Sequence, residues 1–329
     1  MKIKKLTLTS LAVASLLTLA ACGEKKVEQP AVTPEQTPTE TPVEPTETTL
    51  RFGVMSSIDV VPLIIAQEQG YFEEEGVSVD LQVFAAAKDR DAALQAGELD
   101  GVLADEVAIS IYQNSDINMQ ITGTTNGSWT LVASPESGIT SLADLKGKSM
   151  AISENTMIDY LSDYLAVSNG MTTEDIEKVA IPPMPARLEA LQNNQVNAAI
   201  LPTPFNDTAI ADGGLEIAKI YNEDIMISIT AFLQEVIDQN PEAVQGFYKA
   251  YNKAIDYINN TDISEFEDII ISAANYSDEM RGNIILPKYL HNYLPKEENV
   301  QQVLDWSKAK GLLTKDITAA DILNDIAIQ

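Results

Sequence analysis

From Leu50 onward, short apolar and β-branched runs alternate with stretches whose apolar residues recur at helical spacing. Leu50 to Met55 predicts a strand, Pro62 to Gln69 a helix that Pro62 starts and Gly70 stops, and Val77 to Phe84 a second strand. A helical pattern ending near Ala96-Gly97 leads into a third strand, Gly101 to Ala104, and another helical pattern continues to Tyr112. Strands and helices in this order predict parallel sheets with crossover helices.

The order then recurs. Ala93-Leu94-Gln95 and Leu99-Asp100-Gly101 fall on Ala190-Leu191-Gln192 and Val196-Asn197-Ala198, 97 positions later. At the same offset, the segment from Arg51 to Ser56 falls on Lys148 to Ser153. A repeat of this length describes two lobes built on one plan, so the expected fold class is α/β with two similar Rossmann-like lobes. Open parallel sheets bind ligands beyond the carboxyl ends of their strands, where helix N-termini also present free N–H groups. The loops so selected are Ser56-Ser57-Ile58-Asp59 and Asp105-Glu106 in the first unit, and Ser153-Glu154-Asn155-Thr156 and Pro202-Thr203-Pro204-Phe205 in the second. Their candidate ligand contacts are Ser56, Ser57, Asp59, Asp105, Glu106, Ser153, Glu154, Asn155, Thr156, Thr203 and Phe205. Ser, Thr, Asp and Asn also cap helices in such places, so the pairing of the loops carries more weight than any one side chain.

Upstream of the lobes, Lys2, Lys4 and Lys5 precede an apolar run from Leu6 to Ala20. At roughly 15 residues this run is short of the about 20 that a membrane-spanning helix needs, and it has the charge and length pattern of a signal peptide. Leu19-Ala20-Ala21-Cys22 looks like a bacterial lipobox. Residues 1–21 are therefore expected to be removed and Cys22, the single cysteine, to carry the lipid that holds the protein on the extracytoplasmic face of the cell membrane. Residues 22–49 are rich in Pro, Thr and Glu, with Pro30, Pro34, Pro38, Pro42 and Pro45 at close intervals. Such a segment cannot bury a core and reads as a disordered tether.

The formal net charge of −28 becomes more negative once the three leader lysines are lost. This charge argues against nucleic acid as a partner and disfavours adsorption to anionic headgroups. Near the selected loops, Phe84, Trp129 and Phe205 are able to stack on a flat ligand, although packing alone buries such residues. Lys88, Arg90 and Arg187 are candidate anion contacts or ordinary solvated helix charges. Carboxylates outnumber cations in the loops, so a neutral or cationic ligand, heterocycles included, is expected over an oxyanion. The one histidine, His291, stands in none of these loops, and Cys22 is committed to lipid. No nucleophile and base constellation remains, and imidazole and thiolate ligands for a metal are missing. The expectation is a monomer with no catalytic residue, no metal and no cofactor.

Ala66 to Val77, with its Gly70-Tyr71-Phe72 and Glu75-Gly76-Val77 turns, Ala96-Gly97-Glu98-Leu99-Asp100-Gly101, and Ser141-Leu142-Ala143-Asp144-Leu145-Lys146-Gly147-Lys148 resemble signatures of one family. It comprises the substrate-binding proteins of sulfonate, nitrate and thiamine-precursor type ABC importers, of the type II periplasmic binding protein-like fold. The resemblance covers Leu50 to Thr261. Where relatives often have Gly-x-Ile-Asp-Ala and a Trp-x-Pro segment, this chain has Asn194-Gln195-Val196-Asn197-Ala198 and Pro202-Thr203-Pro204, so a substrate does not carry over. The resemblance implies an extracytoplasmic solute-binding protein that delivers a small organic molecule to an ABC permease. It also implies two crossings between lobes, here near Gly123 to Trp129 and Ile220 to Asp224, which adds Asn126 and Trp129 to the candidate contacts. Lobe one would combine 50–122 with 222–329, lobe two would be 123–221, and the helical segments Pro241 to Tyr257 and Glu297 to Lys310 would pack on lobe one. The alternatives are an enzyme of the same fold, related to a pyrimidine-forming protein that consumes its own histidine, and a sensing lipoprotein without transport.

Overall fold

The computed structural model describes residues 49–221, 225, 227–273, 276 and 278–328. The leader, Cys22 and the tether up to residue 48 lie outside the described residues, as do positions 222–224 of the second expected crossing.

β1 (Thr49–Met55) buries Leu50, Phe52 and Val54 at alternate positions, the period that turns one face of a strand to a core. A short 3-10 turn at Ile58–Val60 leads into α1 (Val61–Glu68), whose Pro62 lies in the first turn, where a missing N–H removes no helix bond. α2 (Tyr71–Glu74) follows Gly70, held at φ +72°, a left-handed conformation that glycine adopts without steric cost. β2 (Ser78–Phe84), α3 (Ala87–Gln95), β3 (Gly101–Ala104), α4 (Glu106–Asn114) and β4 (Met119–Thr124) follow.

The chain then crosses to a second set: β5 (Ser128–Ala133), β6 (Lys148–Ile152), α5 (Met157–Ser168), β7 (Ile176–Ala180), α6 (Met184–Gln192), β8 (Ala198–Pro202), α7 (Phe205–Ala211) and β9 (Leu215–Tyr221). It returns with β10 (Ile229–Leu233), then α8 (Gln234–Gln239), α9 (Pro241–Asn260), α10 (Glu267–Ala273) and α11 (Glu297–Ala309).

Two five-stranded sheets result, ordered β2-β1-β3-β10-β4 and β7-β6-β8-β5-β9. Neither is purely parallel. β10 runs antiparallel between β3 and β4, and β5 runs antiparallel between β8 and β9. The parallel runs expected from the pattern form three strands of each sheet. Each crossing supplies the antiparallel strand of the sheet it enters. The offset of 97 residues carries α3 onto α6 and β3 onto the first four residues of β8, so the repeat is structural.

The first sheet is packed by α1 and α9 around Phe52, Phe232, Phe247 and Tyr248, with Phe52 and Phe247 ring centroids 4.8 Å apart. Gly101 makes this approach feasible, since a Cβ there would lie 2.6 Å from Phe232 and 2.7 Å from Phe52. α11 does more than cover the first lobe. One side packs on α4, while Trp306 meets Tyr160 of α5 edge-on at 5.6 Å and donates from Nε1 to Asp163 Oδ2 at 3.0 Å. An irregular strap through residues 284–296 runs beside the first crossing. There the Asn292 side chain accepts from Thr124 N at 3.2 Å and donates to Thr122 O at 3.1 Å, in the space left by the absent side chain of Gly123.

Candidate functional site

The carboxyl ends of β1 and β3 face those of β6 and β8, and the lobes touch across the gap. Ile58 N donates to Thr203 O at 3.1 Å, and Val107 of α4 joins the apolar cluster that holds Met157, Ile158 and Leu161 of α5. Between these contacts lies a small cavity of about 50 Å³, space for a few water molecules or a compact solute. Its apolar wall includes Met55, Leu103, Met157, Ile158 and Met184. Its polar wall is Ser57, Asp59, Arg90 and Asp105 from the first lobe, Ser153, Thr156 and Arg187 from the second, and Ser228 from the return crossing.

Asp59 is bound at both carboxylate oxygens. Ser57 Oγ donates to Oδ1 and Ser228 Oγ to Oδ2, the latter at 2.6 Å, while Thr125 Oγ1 donates to its backbone oxygen at 2.7 Å. Burial nevertheless raises its pKa above the ordinary carboxylate value, against those hydrogen bonds. Asp105 caps α4, accepting from Ala108 N at 2.9 Å. Burial also raises Asp105, opposed by the charge of Arg90 and by backbone hydrogen bonds from Ala108 and Met157. Thr156 caps α5 through Ile158 N and donates to Ser153 O at 2.8 Å. Ser57, Asp59, Asp105, Thr156 and Ser228 therefore act as local braces and as cavity wall at once.

The two arginines differ. Arg90 and Arg187 are 2 % and 1 % exposed, which overturns the reading of either as a solvated helix charge. Arg90 donates from Nη1 to Leu103 O at 2.8 Å, and from Nε and Nη2 to Asp91 at 3.0 and 2.8 Å. Burial opposes its charge, but Tyr112, Asp91 and Asp105 hold its pKa above the ordinary value. Among the described residues Arg187 has no hydrogen-bond partner at Nε or Nη1. Burial alone lowers its pKa to about 10, so it is charged at neutral pH.

The other candidate residues are spread more widely. Trp129 lines the cavity. Asn126 and Thr203 line a neighbouring recess, where Asn126 accepts from Leu290 N at 2.8 Å. Ser56, Phe84 and Phe205 border a third recess. Glu106 is fully buried outside the cavity wall, both carboxylate oxygens lack a partner among the described residues, and burial lifts its pKa to about 8. Glu154 and Asn155 are turned to solvent, because Asn155 takes a left-handed φ of 58° as the loop swings out before α5. Lys88 is exposed, and His291 pairs with Asp256 on the surface at 2.8 Å. Ser228 was not among the sequence candidates, and it reaches the cavity only because β10 returns to the first sheet. Among the described residues no group of three His, Cys, Asp or Glu side chains is placed to hold a metal.

A model of a family described as NMT1-like matches residues 43–270. A Brucella abortus (strain 2308) protein that carries a provisional name as a binding protein is 28% identical over 200 residues, covering 59% of this chain and 61% of its own length. The chain thus matches less than two thirds of that relative. The alkanesulfonate-binding protein SsuA from Xanthomonas axonopodis pv. citri, bound to MOPS, superposes with a TM-score of 0.70 at 19% identity, covering 84% of this chain and 98% of its own. The periplasmic nitrate-binding protein NrtA from Synechocystis PCC 6803 superposes with a TM-score of 0.65 at 16% identity, covering 85% and 87%. At such identities the likeness establishes the shared fold, that of periplasmic binding proteins.

Proposed function

The chain belongs to the NMT1-like family, and on that footing we propose that it is an extracytoplasmic solute-binding protein that captures a small organic molecule between its lobes and delivers it to the permease of an ABC importer. The observation that carries this reading is the cavity built from equivalent strand ends of two repeated lobes. A solute held there touches both lobes only when they are closed, so binding favours closure. The first crossing, at 125–127, is where the chain would bend to open the gap. Ser57, Asp59, Asp105, Trp129, Ser153 and Thr156 are assigned to the solute, with Asn126, Thr203, Ser56 and Phe205 behind or beside them. Glu106 is assigned to the lobe junction. The lipid at Cys22 and the tether would keep the lobes near the permease, and Cys22→Ala would release the protein from the membrane fraction.

The test is calorimetry with a solute recovered from protein purified from its own host. Ser57→Ala and Ser153→Ala, one from each lobe, should each weaken that solute by about 0.5–1.5 kcal/mol, the worth of one neutral hydrogen bond. Small-angle scattering should report compaction on binding, with mass spectrometry showing the solute unchanged. Losses confined to one lobe, or conversion of the solute, would defeat this reading.

A further inference from the structure

α11 is tied to the first lobe along its length. Val300 and Leu304 pack with Ala108, Ile109 and Tyr112, Gln301 Oε1 accepts from Ala319 N at 3.0 Å, and Lys308 Nζ donates to Ile317 O at 2.9 Å. The segment that follows is bonded to β4, with Ile121 N donating to Ile322 O at 2.8 Å. The end of the helix nevertheless reaches into the second lobe. Trp306 lies edge-on to Tyr160 and donates to Asp163. Lys310 Nζ lies 3.6 Å from Asp159 Oδ1, 3.4 Å from Asp163 Oδ2 and 5.2 Å from the centre of the Trp306 ring.

Asp159 and Asp163 stand one turn apart on α5 and are 4 % and 5 % exposed. Among the described residues the second lobe itself gives this pair one cation, Lys178 of β7, which bonds to both carboxylates. Two buried acids facing one lysine leave a negative charge over, and a buried charge without a partner is costly. The missing cation, Lys310, and the indole N–H of Trp306 come from the other lobe. This cluster is no part of the repeated plan. Ninety-seven positions earlier, Asp159, Asp163 and Lys178 become Pro62, Ala66 and Leu81, and the corresponding helix α1 is covered by α9 through apolar packing.

From this we infer that the end of α11 is a latch: Trp306 and Lys310 engage the acid pair of α5 and hold the lobes closed without a solute, so that admitting one requires this end to withdraw. The inference rests on the reading of the lobes as parts that open about the first crossing. Each latch contact joins opposite lobes and is made only when they are closed, so it shifts the balance toward the closed form as a bound solute does. The Lys310 side chain is 37% exposed, which leaves its ion pairs open to screening by salt.

The test is the distance between spin labels at Lys88→Cys on α3 and Glu189→Cys on α6, both exposed positions on opposite lobes, read by double electron–electron resonance. The protein is the mature full-length chain carrying Cys22→Ala, dialysed free of solute. At low salt one short distance should dominate. Trp306→Phe and Lys310→Met should each raise the ratio of long to short distances roughly two- to tenfold, the worth of one hydrogen bond. Raising salt to about 1 M should act on wild type as Lys310→Met does, and Lys310→Arg should keep the short distance. A long distance dominant in wild type, a distribution unchanged in the Trp306→Phe, Lys310→Met double variant, or Lys310→Arg as open as Lys310→Met would each overturn the latch. No solute enters this experiment, so its failure is separate from a failure of solute capture, which calorimetry on Ser57→Ala and Ser153→Ala reads.

Discussion

The walls that the two lobes give to the cavity have the same backbone plan and opposite electrostatics. The first lobe contributes Asp59 and Asp105, with Arg90 tied to Asp91; the second contributes Ser153, Thr156 and Arg187, and no carboxylate. In the first wall, polar groups mostly satisfy one another. In the second, a cation is left without a partner among the described residues. A repeat can thus keep its strands, its helix phases and even one buried arginine while the partners of that arginine change, so that the ion pair of one lobe has no counterpart among the described residues of the other.

The comparison breaks most severely at Asp91. Asp91→Ala should leave the Arg90 guanidinium buried beside an unpaired Tyr112 and lower stability by about 3–5 kcal/mol, the usual cost of removing one member of a buried pair, as urea denaturation would measure. A loss below about 1 kcal/mol, the scale of an exposed pair, would mean that the first-lobe arginine is no better supported than the second.

A second break concerns Glu106, at the junction of α4 and α5. Burial lifts its pKa from 4.5 to about 8, so the folded chain holds this proton to higher pH than the unfolded chain does. Its contribution to stability is therefore full below pH 4.5 and is lost as pH rises through about 8. Asp59 and Asp105 are shifted in the same direction by burial and add to the slope. Tm should fall across that window, and Glu106→Gln should flatten the fall and gain about 1–3 kcal/mol at its alkaline end, where a desolvated charge is removed. An unchanged pH profile in the variant would show that Glu106 finds a partner or solvent.

The comparison can also be sharpened by rebuilding the first-lobe pair in the second. Leu188→Asp stands where Asp91 stands in the repeat and is half-buried. It should give Arg187 an internal partner and raise stability by about 1.5 kcal/mol, the lower end for a hydrogen bond to a charged group, as urea denaturation would measure. A loss of stability would indicate that residue 188 does not reach the guanidinium. The smallest effect is expected at the clasp from α11. Trp306→Phe keeps an aromatic ring against Tyr160 and removes only the bond to Asp163, a cost of about 0.5–1.5 kcal/mol, read in the same urea experiment.

The alternating plan and its offset were legible because buried parallel strands read as short apolar runs, as Phe52 to Met55 and Met150 to Ile152 do. β5 and β10 were not, since each pairs with strands from a distant part of the chain and a local pattern does not tell an antiparallel insertion from a connecting segment. Of the cavity wall, Ser57, Asp59, Asp105, Ser153 and Thr156 could be located because they directly follow strand ends. Glu106 was misjudged because its neighbour Asp105 follows a strand end and the pattern gives no measure of how deeply the next residue is packed. Anion contact and solvated charge stay undecided for the arginines in the sequence because α3 and α6 are short helices with many polar or small residues, Ala87-Lys88-Asp89-Arg90 and Met184-Pro185-Ala186-Arg187. The offset aligns Arg90 with Arg187, and that pairing is the signal that argues for cavity wall over solvated charge.

The exchanged central strands also set a timetable. All strands of the second sheet lie between Ser128 and Tyr221, so that sheet has its full complement once the ribosome has passed them. The first sheet does not: β3 and β4 are neighbours only through β10, which is made after the whole second lobe. Until then two strand edges of the earlier lobe stay open, an invitation to wrong pairing, and the long loop between them must close before their contacts form. The half of the protein synthesised first is thus the half completed last, and a chain truncated before Ile229 should contain a finished second sheet attached to an unfinished first one.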